Sequence, residues 1–212
     1  MIEFLNNIDR EFFLFLNGFH NSFFDGLMFA ATKGLLWMPL YLFFLFFVIR
    51  KYRGQTLMII LFAAVMILCS DQLSDLVKEA VHRLRPSRQP GLMVHIVEAY
   101  KGGTYGFYSA HASNTFSVVV FLIVILGRKY KFVYVLAILW SLIMSYTRIY
   151  LGVHYPGDVI TGWVAGGLLG FLFGKGSVLI CKLITQSCIK DPISPYSKFE
   201  KSSKGPAKTD SH

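Results

Sequence analysis

Long apolar blocks alternate along this chain with short polar interruptions. Five blocks approach membrane-spanning length: residues 34–48, 56–76, 112–126, 131–145 and 159–184. Several fall short of the ~20 residues that an α-helix needs to cross a bilayer. Flanking aromatics and snorkelling Lys or Arg side chains complete such spans. A sixth apolar stretch, residues 11–31, is interrupted by Asn17, His20, Asn21 and Asp25 and reads as an interfacial helix followed by a short span. The pattern predicts an all-α fold, a polytopic membrane helix bundle of six transmembrane helices with an interfacial N-terminal helix. Residues 1–190 form the expected membrane domain. Residues 191–212, rich in Ser, Pro and Lys, are expected to be a disordered basic tail.

Loop charge sets the expected orientation. Residues 50–55 ("RKYRGQ") and 127–132 ("GRKYKF") are short, basic and without evident chemistry, so they read as cytoplasmic. The tail joins them there. Residues 78–109 and 148–158 then share the opposite face. The first of these outward regions is also basic, against the positive-inside pattern, and that departure needs a reason.

Composition sharpens this reading. Of 212 residues, 54% are hydrophobic and 16% charged, less charge than a soluble domain carries. A net charge of +9 raises nucleic acid as a partner. That partner is rejected, because the basic residues lie in short loops between apolar runs. The three cysteines, Cys69, Cys181 and Cys188, show no metal spacing, and an odd number gives no disulfide framework. The N-terminus carries early acidic residues and no basic n-region, unlike a cleavable signal peptide. The last block bears Gly162, Gly166, Gly170 and Gly174 at a spacing of four, a close-packing helix face. Traced backwards, that face reaches Asp158 and then His154.

Three polar clusters break the apolar pattern. In "KEAVHRLRP", Lys78 and Arg85 lie two helical turns apart, and Pro86 is expected to end the helix at Arg85. In "GFYSAHASNTF", Ser109 precedes an apolar helix, either as its N-cap or as part of an anion site, with His111 in the first turn. In "TRIYLGVHYPGD", Arg148 ends one span, Pro156 opens the next, and His154 stands four residues before Asp158. Each alone has a plain structural reading: a snorkelling helix end, a cap, a structural His–Asp pair. Together, on one face of the membrane, they gather the cations Lys78, Arg85 and Arg148 with two histidines, a hydroxyl and a carboxylate. Cations beside low-dielectric helices repel one another unless an anion lies among them. Guanidinium groups fit phosphate oxygens bidentately, so the expected ligand is a phosphate group.

These residues resemble the signature of the type 2 phosphatidic acid phosphatase superfamily: Lys-x6-Arg-Pro, Pro-Ser-Gly-His and Ser-Arg-x5-His-x3-Asp. This chain has Lys78-x6-Arg85-Pro86, then Tyr108-Ser109-Ala110-His111, then Thr147-Arg148-x5-His154-x3-Asp158. Tyr108, Ala110 and Thr147 replace Pro, Gly and Ser, and none of these changes removes a reacting group. The resemblance implies a bacterial-type membrane lipid phosphatase. His154 is then the nucleophile, forming a phosphohistidine, and Asp158 orients it. His111 is the leaving-group acid. Lys78, Arg85, Ser109 and Arg148 bind the phosphate. No metal and no cofactor is expected, since fixed cations neutralise the phosphoryl charge. The implied place is a bacterial inner membrane with the site on the periplasmic or extracellular side.

The expected substrate is a lipid phosphate: undecaprenyl diphosphate, lipid A, phosphatidylglycerol phosphate or phosphatidic acid. Rival readings are a lipid phosphotransferase, a vanadium haloperoxidase, and a non-catalytic phosphate-binding membrane protein such as a transporter. Tyr100, Tyr105, Phe107 and Tyr108 read as interfacial anchors or as the lining of a lateral entrance. The sequence says nothing of oligomeric state.

Overall fold

The structure, a computed structural model, describes residues 2–190. The tail expected over residues 191–212 lies outside the described residues. Seven α-helices follow in order: α1 (Ile2–Asn17), α2 (Ser22–Ala31), α3 (Met38–Tyr52), α4 (Thr56–Val81), α5 (Ala110–Leu126), α6 (Lys131–Tyr150) and α7 (Pro156–Lys190). Among the described residues the only β pairing is an isolated antiparallel bridge between Leu84 and Tyr105.

Three helical stretches are long and apolar enough to cross a membrane, namely Gly34–Val81, Arg128–Tyr150 and Pro156–Gln186. The first doubles back at the tight turn Arg53–Gln55, which separates α3 from α4. Helices α2 and α5 are shorter apolar helices. The sixth crossing expected within residues 11–31 is not made by α2 alone. Its 10 residues rise only about 15 Å, half the apolar thickness of a bilayer. It lies along the end of the bundle where α6 terminates. The Asn21 N–H meets the Tyr150 hydroxyl at 3.4 Å, and Phe29 packs edge-on to Tyr100.

Helix α1 crosses that same end as a strap. Its buried face carries Asp9, Phe13 and Asn17 at the helical spacing of four. Phe13 meets the Tyr155 ring edge-on at 5.4 Å. The Asn17 amide donates to the carbonyls of Ile149 and Tyr150 and accepts from the His95 N–H at 2.8 Å. Asn17 looked in the sequence like a break in an apolar run. It supplies a side-chain donor to carbonyls at the end of α6, where the Ile149 carbonyl also accepts the Gly152 N–H at 3.0 Å.

Helix α5 is the central rod, with α4, α6 and α7 around it. Two of its polar side chains pair across helices: Ser113 with Ser70 at 2.7 Å and Thr115 with Ser141 at 2.9 Å. At the end away from the strap, its last carbonyls, Ile125 and Leu126, accept from Lys51 Nζ.

Helices α5 and α7 run parallel in backbone contact. A Cβ added at Gly162 would meet the Ser109 carbonyl at 2.6 Å, and one at Gly166 or Gly170 would collide with the Ser113 or Ser117 carbonyl. These glycines therefore set the helix separation, as small residues do in membrane packing. Gly166→Ala should destabilise the protein by about 1–3 kcal/mol, the cost of overpacking a close contact. Gly167→Ala meets only the movable Phe116 ring at 3.3 Å and should cost far less. Thermal unfolding in detergent checks the contrast, and equal losses in both variants would refute it.

Candidate active site

The site forms where α4, α5, α6 and α7 all begin or end at one end of the bundle. Helix α4 stops at Val81, earlier than the Pro86 signal alone indicated, with His82 in the left-handed conformation (φ 53°). The extended residues beyond it pair with the loop ahead of α5. The Arg85 N–H donates to the Thr104 carbonyl, and the Gly106 N–H donates to the Arg83 carbonyl at 2.8 Å. In an extended segment alternate side chains share a face, so Arg83 and Arg85 both project toward the α6–α7 connection.

Ser109 is fully buried and is the N-cap of α5, its hydroxyl accepting the Ala112 N–H at 3.4 Å. Its own N–H donates to the Asp158 carbonyl at 3.0 Å, tying the start of α5 to the first turn of α7. His111, one step inside α5, stays exposed at the mouth. Arg148 ends α6 almost fully buried (2% exposed), with Nε donating to Thr147 Oγ1 at 3.1 Å. Its Nη2 has no hydrogen-bond partner among the described residues. A buried guanidinium left with a free donor is costly unless an anion meets it.

The connection between α6 and α7 carries His154, 3% exposed, and Pro156 opens α7. His154 Nδ1 lies 3.5 Å from Oδ2 of the fully buried Asp158, and Nε2 lies 3.4 Å from Arg85 Nη1. Arg85 is also held by the carbonyl of Tyr105, which accepts from Nε at 3.1 Å. Burial, and then the Arg85 and Arg148 cations, push the imidazole pKa below its ordinary value, against the opposing pull of Asp158. That direction favours the neutral imidazole.

The structure gathers six of the seven residues read from the sequence tightly: Arg85, Ser109, His111, Arg148, His154 and Asp158. Lys78 stands at the rim, its Nζ 2.9 Å from Asp75. The Asp75 pairing was not anticipated. Of the four aromatics before α5, Tyr108 is buried and Tyr105 stacks edge-on against His82 at 4.6 Å. Tyr100 lies near both Arg85 and Arg148. Among the described residues, no group of three or more His, Cys, Asp or Glu side chains is placed to hold a metal ion.

Two residues escaped sequence reasoning. Arg83 donates from Nη1 to Asp158 Oδ1 at 2.7 Å and from Nη2 to Asp9 Oδ2 at 2.6 Å. The Arg-x-Arg-Pro run was the signal for Arg83, since an extended segment would aim both arginines alike. Nothing local marked Asp9, because its contact spans the whole chain.

This arrangement can bind a tetrahedral anion among cations and present one imidazole to it, with a second imidazole, His111, at the mouth. The chain matches the model of the PAP2 superfamily over residues 56–177. It is 38% identical over 178 residues to a lipid A 4'-phosphatase of Bacteroides thetaiotaomicron, covering 82% of this chain and 78% of that protein. It is 31% identical over 202 residues to a lipid A 4'-phosphatase of Porphyromonas gingivalis, covering 92% of this chain and 84% of the relative. The crystal structure of a transmembrane PAP2-type phosphatidylglycerolphosphate phosphatase from Bacillus subtilis shares the fold. Its TM-score is 0.59 at 23% identity, over 81% of this chain and 85% of that one.

Proposed function

The chain belongs to the PAP2 superfamily and is an integral membrane phosphatase acting on lipid phosphates, and from that premise we propose that it hydrolyses a sugar phosphomonoester of a lipid A-type glycolipid, releasing inorganic phosphate through a phosphohistidine intermediate. The observation that carries the chemistry is the buried Arg148 guanidinium, with its unpartnered Nη2, in the company of Arg85 and His154. The two lipid A 4'-phosphatase relatives support the substrate class. So does a cleft of about 480 Å³ beside the site, lined by Asn6, Arg10, Arg83, Gln89, Phe107 and Tyr155. Amide and guanidinium donors around aromatic faces suit a hydroxyl-rich sugar headgroup.

In the first step His154 Nε2 attacks phosphorus and the bond to the sugar oxygen breaks, with His111 giving its proton to that oxygen. Arg85 and Arg148 hold the phosphoryl oxygens as charge spreads over them, and Lys78 and Ser109 stand at the edge of the same cradle. The ring becomes positive as the N–P bond forms, and the Asp158 carboxylate stabilises it. In the second step water loses a proton to His111 and attacks phosphorus. The N–P bond breaks, inorganic phosphate leaves and His154 regains its lone pair.

The reading makes two measurable demands. Purified protein in detergent should release phosphate from lipid A faster than from undecaprenyl diphosphate, phosphatidylglycerol phosphate or phosphatidic acid, with no added acceptor lipid. That release should persist in a chelator and be inhibited by orthovanadate, which fits the cradle in a five-coordinate geometry. Preference for another lipid would overturn the substrate, an absolute need for an acceptor lipid would make the protein a transferase, and strict dependence on magnesium would sink the mechanism.

The site end is proposed to face the periplasm, because the basic turns at 50–55 and 127–132 lie at the opposite end. Cysteine labelling of intact cells should reach Gly102→Cys from outside, and Lys129→Cys only after the membrane is opened. The reverse pattern would place the site in the cytoplasm.

A further inference from the structure

The two steps above leave Arg83 and Asp9 without a task, yet both touch the residues that hold the nucleophile. Arg83 stands between two carboxylates, Asp158 and Asp9, with its guanidinium 4.2 Å above the Tyr155 ring centre. Asp9 Oδ1 accepts the Gly157 N–H at 2.7 Å, in the first turn of α7 and next to Asp158. Each oxygen of Asp158 is thus assigned. Oδ1 takes Arg83, while Oδ2 takes the Tyr155 N–H at 3.0 Å and faces His154 Nδ1.

One guanidinium shared by two carboxylates leaves the trio with a net negative charge. If Asp9 were neutral, Arg83 and Asp158 would cancel, and the fork of Arg83 would be free to take both oxygens of Asp158. His154 would then lose the anion that orients its ring and stabilises its cationic form. We propose that Asp9, on the strap helix α1, is a positioning residue for phosphoryl transfer, acting by sharing Arg83 so that Asp158 keeps Oδ2 and an uncancelled negative charge facing His154. The inference rests on His154 being the nucleophile. It makes α1 part of the catalytic apparatus rather than a membrane anchor alone.

The charged and titratable groups around His154 come from every element packed against it. They are Asp158 on α7, Arg85 after α4, Arg148 on α6 and His111 on α5, with Arg83 and Asp9 behind Asp158. The sign of each change follows from charge. Asp9→Asn removes an anion, disfavours protonated His154, and should move the acid limb of kcat/KM to lower pH. Arg83→Gln removes a cation and should move that limb to higher pH.

The experiment measures kcat, KM and the pH profile on lipid A for both variants and for Asn17→Ala. Asn17 anchors the same helix without touching the site network, so Asn17→Ala reports what loosening α1 does by itself. Asp9→Asn should lower kcat about tenfold or more, as losing a partner that orients a first-rank group does, with KM within about twofold. Asn17→Ala should leave the acid limb in place. Nuclear magnetic resonance titration of histidine-labelled protein reads the same opposed shifts of His154 without turnover. An acid limb and a His154 titration both unmoved in Asp9→Asn would overturn the inference, as would shifts of one sign in both charge variants. A wild-type protein that releases no phosphate from any lipid would defeat the proposed function instead, and the titration would still decide the role of Asp9.

Discussion

His154→Ala should form no phosphoenzyme and release no phosphate, while His111→Ala should still form the phosphoenzyme from an activated ester. The two imidazoles sit in different surroundings. His154 is buried against Asp158 with Nε2 directed toward Arg85, and His111 is exposed at the start of α5. The first geometry suits a nucleophile with an oriented ring, and the second suits a proton carrier that meets both lipid oxygen and water. General acid assistance is worth roughly 100- to 10,000-fold when the leaving group is a poor one. His111→Ala should therefore lose that much on a sugar phosphate and little on an aryl phosphate, whose leaving oxygen hardly needs a proton. Trapping the phosphoenzyme in each variant and comparing rates on the two esters decides the matter. A trapped intermediate in His154→Ala, or equal losses on both esters in His111→Ala, would reverse the roles.

Arg148→Met should yield a protein that is more heat-stable and almost inactive. Arg148 is buried at the end of α6 with a donor that finds no partner among the described residues. Replacing a buried ion pair by apolar side chains of similar volume is often neutral or stabilising by about 1–4 kcal/mol, and a buried cation with an unmet donor is expected to follow the same direction. The same change removes a preorganised cation from the phosphoryl oxygens, a loss of about 100- to 1,000-fold in kcat. Thermal unfolding in detergent and phosphate release on one preparation give both numbers, and a Met variant that melts lower would show that Arg148 is held by contacts that stabilise the fold. Arg148→Lys keeps the charge but not the fork, so it should fall between the two in activity and bind orthovanadate less tightly.

Much of this was legible in the sequence, for identifiable reasons. The cores of α4 to α7 could be placed because lipid imposes long apolar runs. The Gly162 to Gly174 stripe could be assigned to packing because its spacing is helical. The proposed site residues stood out because phosphate chemistry needs several cations, and their clusters fall at helix ends on one face. What was missed has different causes. The Lys78–Asp75 pair is an i,i+3 contact within α4 that helical spacing could have shown, whereas the contacts of Asp9 are tertiary. An Asp in the first turns of an amphipathic helix looks solvent-facing, and only the fold brings it against Gly157 and Arg83, far away in the chain. Arg83 was hidden differently, because helix periodicity was applied to residues that prove to be extended.

The backbone contact between α5 and α7 should separate the proposed reacting groups from the mechanical state of the lipid. Helices cope with bilayers of unequal thickness by tilting, at a cost of fractions of a kcal/mol per Å. The Ser109, Ser113 and Ser117 carbonyls abut Gly162, Gly166 and Gly170 too closely for α5 and α7 to slide past one another. His111 rides on one member of that pair, and His154 immediately precedes the other. A thinner or thicker membrane therefore reorients the pair as one body and leaves the span between the two imidazoles unchanged.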